Sequence, residues 1–73
     1  MLKIKDNVDL KELEKFEFET NEYGYYFEDG AIYPIDYLQI YQFNREIMVS
    51  SLNNENINDK LFDLIQAGLV EKV

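Results

Sequence analysis

The sequence predicts an α+β fold: a small, mainly antiparallel sheet with a short N-terminal helix and a C-terminal amphipathic helix. Three observations lead there. Leucine and isoleucine recur at helical spacing near the C-terminus, a capped apolar turn stands near the N-terminus, and from Phe16 to Phe43 the apolar period is two. Seventy-three residues are expected to form one domain. A chain this short buries only about 60% of the surface its unfolded form exposes, so association with a partner is a natural source of added stability.

In chain order, Leu2-Lys3-Ile4-Lys5 alternates apolar and charged residues, as a half-buried strand does. Asp9 is placed to cap a helix of about Leu10 to Lys15, its carboxylate accepting from the backbone three residues on. Glu12 sits at the capping-box position, and Val8 and Leu13 form a hydrophobic staple. Phe16 and Phe18 then alternate with glutamates. Tyr23, Tyr25 and Phe27 alternate with Gly24, Tyr26 and Glu28, and both stretches read as strands. Asp29-Gly30 predicts a tight hairpin that folds Tyr23–Glu28 against Ala31–Ile35, with Pro34 marking an edge or an end.

Leu38–Phe43 and Glu46–Ser50 form the next hairpin, with Asn44-Arg45 at its tip, and the polar run Ser51 to Asn56 reads as a loop. Ile57, Leu61, Leu64 and Ile65 define the inner stripe of the last helix, capped by Asn56 or Asn58, with Asn58, Lys60, Asp63 and Gln66 outside. Gly68 and Leu69 suit a Schellman ending, and Leu69–Val73 a closing strand. The expected core is Leu10, Leu13, Phe16, Phe27, Ile40, Ile47, Val49, Leu61, Leu64 and Ile65.

The residue inventory argues against catalysis. There is no cysteine and no histidine, so disulfides, ordinary zinc sites and the usual activated nucleophiles have no residues to form them. Gly24, Gly30 and Gly68 are scattered and build no phosphate-binding loop. Glu28, Asp29 and Asp36 approach a carboxylate cluster, which reads better as a solvated turn than as an acid–base pair or a Mg²⁺ or Ca²⁺ site. No cofactor or metal is expected.

Fifteen carboxylates against seven cations leave a net charge of −8, which disfavours nucleic acid and anionic lipid. Tyr23-Gly24-Tyr25-Tyr26-Phe27 has the look of an RNA-recognition strand, but acids flank it where that signature carries a cation. The opening residues become charged before any apolar run develops, and no stretch approaches the ~20 apolar residues that span a bilayer. The expected location is the cytoplasm of a bacterial host cell.

Charge is unevenly spread. Between Phe16 and Asn44 lie Glu17, Glu19, Glu22, Glu28, Asp29 and Asp36 with no Lys or Arg, and all six tyrosines fall between Tyr23 and Tyr41. Tyrosine is at once a good strand residue and a good interface residue, so ordinary sheet chemistry and a recognition face both remain open. Tyr25 and Tyr26 are adjacent in a strand and point to opposite faces, so at least one is expected to be exposed. The recognition reading takes Tyr25, Tyr26, Tyr33 and Tyr37 as contact anchors and Glu22, Glu28, Asp29 and Asp36 as charge partners for a basic protein surface.

The segments Leu2–Phe16 and Leu61–Val73 resemble short uncharacterised proteins from phages and prophages of low-G+C Gram-positive bacteria. The resemblance covers the two ends and not the tyrosine-rich middle. It implies a context in which small acidic proteins bind and block a host enzyme, defence nucleases with basic channels included. Two other readings stand beside it. One is a self-associating structural or assembly module, a homodimer in its simplest form. The other is a transcriptional regulator built on the C-terminal helix.

Overall fold

The computed structural model describes residues 1–30 and 35–73. In chain order the elements are β1 (Leu2–Ile4), a 3₁₀ helix (Leu10–Phe16), β2 (Glu19–Asn21), β3 (Gly24–Asp29), β4 (Asp36–Tyr41), β5 (Ile47–Val49), α1 (Glu55–Gln66) and β6 (Val70–Lys72). The α+β class is the expected one. Instead of one sheet, however, the strands form two, both antiparallel: β2-β3-β4-β5 and the pair β1-β6. A bridge between Lys3 and Glu46 links the sheets, and the Ile4 amide donates to the Arg45 carbonyl at 2.9 Å. Arg45, held at φ 66, completes the seam by donating from Nη1 to the carbonyls of Lys5 at 2.8 Å and Val8 at 2.6 Å.

Both helices form where the sequence places them, with changes of detail. Asp9 caps the first, but its carboxylate accepts from the Lys11 amide, two residues on, and the segment winds as a 3₁₀ helix. Phe16 ends that helix and Glu17 follows at φ 68, so the expected strand at Phe16–Phe18 does not form and pairing starts at Glu19. α1 is capped by Asn54, whose side chain accepts from the Ile57 amide at 3.1 Å, and not by Asn56 or Asn58. Its C-terminus is the Schellman motif expected: Leu69 donates to the Leu64 carbonyl, Gly68 to that of Ile65, and Gly68 takes φ 77.

The tight hairpin at Asp29-Gly30 is corrected. β3 pairs with β4, Asp29 opposite Asp36 and Tyr25 opposite Ile40, and the expected arm at Ala31–Pro34 lies outside the described residues. The physical reason is packing. This register sets Phe27 across from Leu38 and Tyr25 across from Ile40, and both β4 residues are fully buried. A two-residue loop would have set Pro34, which has no amide to donate, opposite Tyr25. A β4–β5 hairpin forms, but its tip at Asn44-Arg45 is corrected: β4 ends at Tyr41, the Tyr41 amide donates to the Glu46 carbonyl, and residues 42–45 make the turn. That register sets buried Leu38 and Ile40 opposite Val49 and Ile47, and Gln39 opposite Met48.

The core is Ile4, Leu13, Phe18, Leu38, Ile40, Ile57 and Leu64, with Leu10, Phe16, Phe27, Ile47, Val49 and Leu61 packed partly buried around it. Ile65 was expected inside but is 45% exposed, because the inner stripe runs through Ile57, Leu61 and Leu64. Lys60 was expected outside. Its side chain instead covers Phe27, with Nζ 4.6 Å from the ring centre and 3.8 Å from Glu17. Among the described residues no helix is long and apolar enough to cross a membrane.

Candidate functional site

Alternation along β3 and β4 divides the large sheet into two faces. Tyr25 and Phe27 of β3, Leu38 and Ile40 of β4 and Ile47 and Val49 of β5 turn toward α1 and the 3₁₀ helix. Tyr26 and Glu28, Tyr37 and Tyr41, and Met48 turn outward. Tyr26, Glu28, Tyr37 and Tyr41, with Asn21, Tyr23, Ile35 and Gln39, line an open groove of about 510 Å³.

The floor of the groove is polar but closed to water. Gln39 is only 6% exposed. Its Nε2 donates to the carbonyls of Tyr25 at 3.0 Å and Ile40 at 3.2 Å, and its Oε1 accepts from Asn21 Nδ2 at 2.8 Å. Asn21 also makes the β2–β3 turn, its Oδ1 accepting from the amides of Tyr23 and Gly24 at 3.0 Å each. Gly24 lies at φ 145, where a Cβ would run into the Ile40 carbonyl oxygen and come within 2.8 Å of the Gln42 nitrogen. A side chain is therefore sterically barred at the β3 position opposite Tyr41, which leaves that end of the floor low.

The walls are aromatic and the rim is acidic. Tyr23 meets Tyr41 edge-on with ring centres 6.4 Å apart, and Tyr41 meets Phe43 the same way at 6.5 Å. Tyr23 is 56% exposed and Phe43 84%. The Tyr26 hydroxyl donates to Glu19 Oε2 at 3.2 Å, and the Tyr41 hydroxyl points at the Met48 sulfur at 3.7 Å. The phenols of Tyr23 and Tyr26 hold their protons more tightly than usual. The cause in each case is first a hydrogen bond to the neighbouring carboxylate and then its charge, Glu22 for Tyr23 and Glu19 for Tyr26.

The eight residues proposed from sequence do not all share this face. Tyr26, Tyr37 and Glu28 line the groove, and Glu22 stands beside Tyr23 at its end. Tyr25 lies on the opposite face from the groove. It packs against the core, its hydroxyl reaches Glu14 Oε2 at 3.4 Å, and burial followed by the Glu14 charge raises its pKa. Asp29 and Asp36 stand apart from the groove lining, at the start of α1. Both accept from Asn54 Nδ2, at 3.0 and 2.8 Å, and Asn56 Nδ2 also reaches Asp29, so they anchor the start of α1 to the sheet. Tyr33 lies outside the described residues.

The residues missed from sequence are Tyr23, Tyr41, Gln39, Asn21 and Glu19. The available signal was parity: Tyr37, Gln39 and Tyr41 stand two apart, as do Tyr26 and Glu28, and two-residue spacing assigns each set to one face. Adjacent residues such as Tyr25 and Tyr26 cannot serve one flat surface together. No protein-family model matches the chain, and no curated protein or solved structure is significantly similar to it.

Proposed function

We propose that the chain is a non-enzymatic binding protein that lays the outer face of its four-stranded sheet on a basic protein surface, as a small phage inhibitor blocks a host enzyme or defence nuclease. The observation that supports this best is the groove. Four tyrosines line it, Glu19, Glu22 and Glu28 lie along it, and none of its described lining residues is a cation. Exposed tyrosine beside carboxylate suits a protein interface, because the rings supply contact area at low entropy cost and the acids steer a cationic partner. The regulator reading loses ground, since Lys60, the cation within α1, is folded over Phe27.

The test is capture from a Gram-positive bacterial lysate on immobilised chain, at low and high salt, with a Glu19→Gln/Glu22→Gln/Glu28→Gln variant alongside. The reading expects basic proteins held by the wild type at low salt and lost both at high salt and by the variant. Equal capture by both chains at both salts removes the electrostatic basis of the proposal. Self-association is the second reading, favoured by Phe43 and Met48, which stand exposed beside Tyr41. Sedimentation at micromolar concentration separates the two: a persistent monomer counts against self-association.

A further inference from the structure

Several hydrogen-bond donors of the groove are already engaged, and its described lining carries no cation, which limits what can enter it. The Tyr26 proton faces Glu19, and the Tyr41 hydroxyl is turned to the Met48 sulfur. The Gln39 amide donates into the backbone beneath it, and the Asn21 amide donates to Gln39. What remains toward solvent is π surface, the hydroxyls of Tyr23 and Tyr37 and the Glu28 carboxylate. An anion finds no cation among the described lining residues and meets the Glu28 charge, whereas a cation with several N–H groups finds acceptors throughout.

We propose that this groove seats an arginine side chain of the protein partner, its guanidinium plane against Tyr26 and Tyr37 and its N–H groups on Glu28. The two rings stand diagonally across the β3–β4 ladder, and Glu28 is directly opposite Tyr37. This assignment rests on the protein-binding reading above and adds the chemistry of the contact. Arginine suits the groove better than lysine because its planar, weakly hydrated head stacks on tyrosine while still offering N–H groups at its edge. A lysine ammonium, compact and strongly hydrated, gains less from an open site of this kind.

The experiment titrates the full-length ¹⁵N-labelled chain with capped oligo-arginine and oligo-lysine peptides of equal length at low salt, followed by NMR. Oligo-arginine is expected to shift the Gln39 side-chain amide and the backbone amides of Tyr26–Glu28 and Tyr37–Tyr41, and to bind about fivefold more tightly than oligo-lysine. Tyr37→Leu is expected to bring arginine down to the lysine level, Tyr37→Phe to retain the preference, and Glu28→Gln to weaken both peptides. Undisturbed shifts elsewhere confirm that each variant is folded. Equal affinities, or shifts spread to Glu12, Glu55 and Glu71, would show attraction to net charge alone and overturn the assignment. If lysate capture depends on the outer tyrosines while oligo-arginine leaves the groove unshifted, the protein-binding reading stands and the arginine assignment falls.

Discussion

At the scale of single residues, Gly24 has the most constrained role. Its φ of 145 and the closeness of the Ile40 carbonyl leave no space for a Cβ, so Gly24→Ala must either open the β3–β4 ladder or strain the backbone. A loss of about 3 kcal/mol is expected in denaturant unfolding. Among the tyrosines, Tyr23, Tyr25 and Tyr26 all have pKa values raised above the usual 10.0. Below that value folded and unfolded chains both carry the protons, and stability does not respond to these groups. Above it the unfolded chain releases protons first, so stability falls as pH rises toward the folded values. Glu19→Gln should return the Tyr26 titration toward the ordinary value while leaving Tyr25 where it is, read from phenolate absorbance of single-tyrosine-to-phenylalanine variants.

At the scale of elements, Asn54 ties α1 to the sheet. Its side-chain oxygen caps the helix and its amide nitrogen donates to Asp29 and Asp36, which stand directly opposite each other across β3 and β4. Asn54→Ala should cost about 1–2 kcal/mol through the cap alone. Serine and aspartate both cap helices well, yet Asn54→Asp should be less stable than Asn54→Ser, because it sets a third carboxylate against the other two. Comparing their denaturation midpoints checks this, and equal midpoints would dissociate the cap from the clamp.

The cap also shows what the sequence could convey. Helix existence, the Asp9 cap and the Schellman ending were legible because each depends on residues within a turn of one another. The choice of Asn54 over Asn56 or Asn58 was not, because it depends on two aspartates brought from other strands. The same limit explains the hairpin. Asp29-Gly30 is a strong local turn signal, but burial of Leu38 and Ile40 opposite Tyr25 and Phe27 overrides it.

At the scale of the whole molecule, the large sheet separates two tasks by the pleat alone. One face closes on α1 and the 3₁₀ helix, and the other presents tyrosine and carboxylate over a buried Gln39 floor. That a cation-free, tyrosine-rich middle exists was plain from the sequence. Which tyrosines act together was not, since the choice needs strand parity and the turn positions at Asn21 and Gly24. Tyr25 and Tyr26 illustrate this, one packed on the core and one on the groove wall. The separation of faces predicts that outer-face changes spare stability while inner-face changes do not. Tyr37→Ala should therefore move the denaturation midpoint far less than Leu38→Ala, for which a loss of about 2–5 kcal/mol is expected.

The central claim is that the outer face recognises a basic protein, and calorimetric titration of the captured partner tests it most directly. A Tyr26→Ala/Tyr37→Ala/Tyr41→Ala variant, shown by circular dichroism to be folded, is compared with wild type and with Tyr25→Phe. The account predicts a loss of about tenfold or more for the outer-face variant and none for Tyr25→Phe. Undiminished affinity in the outer-face variant would contradict it.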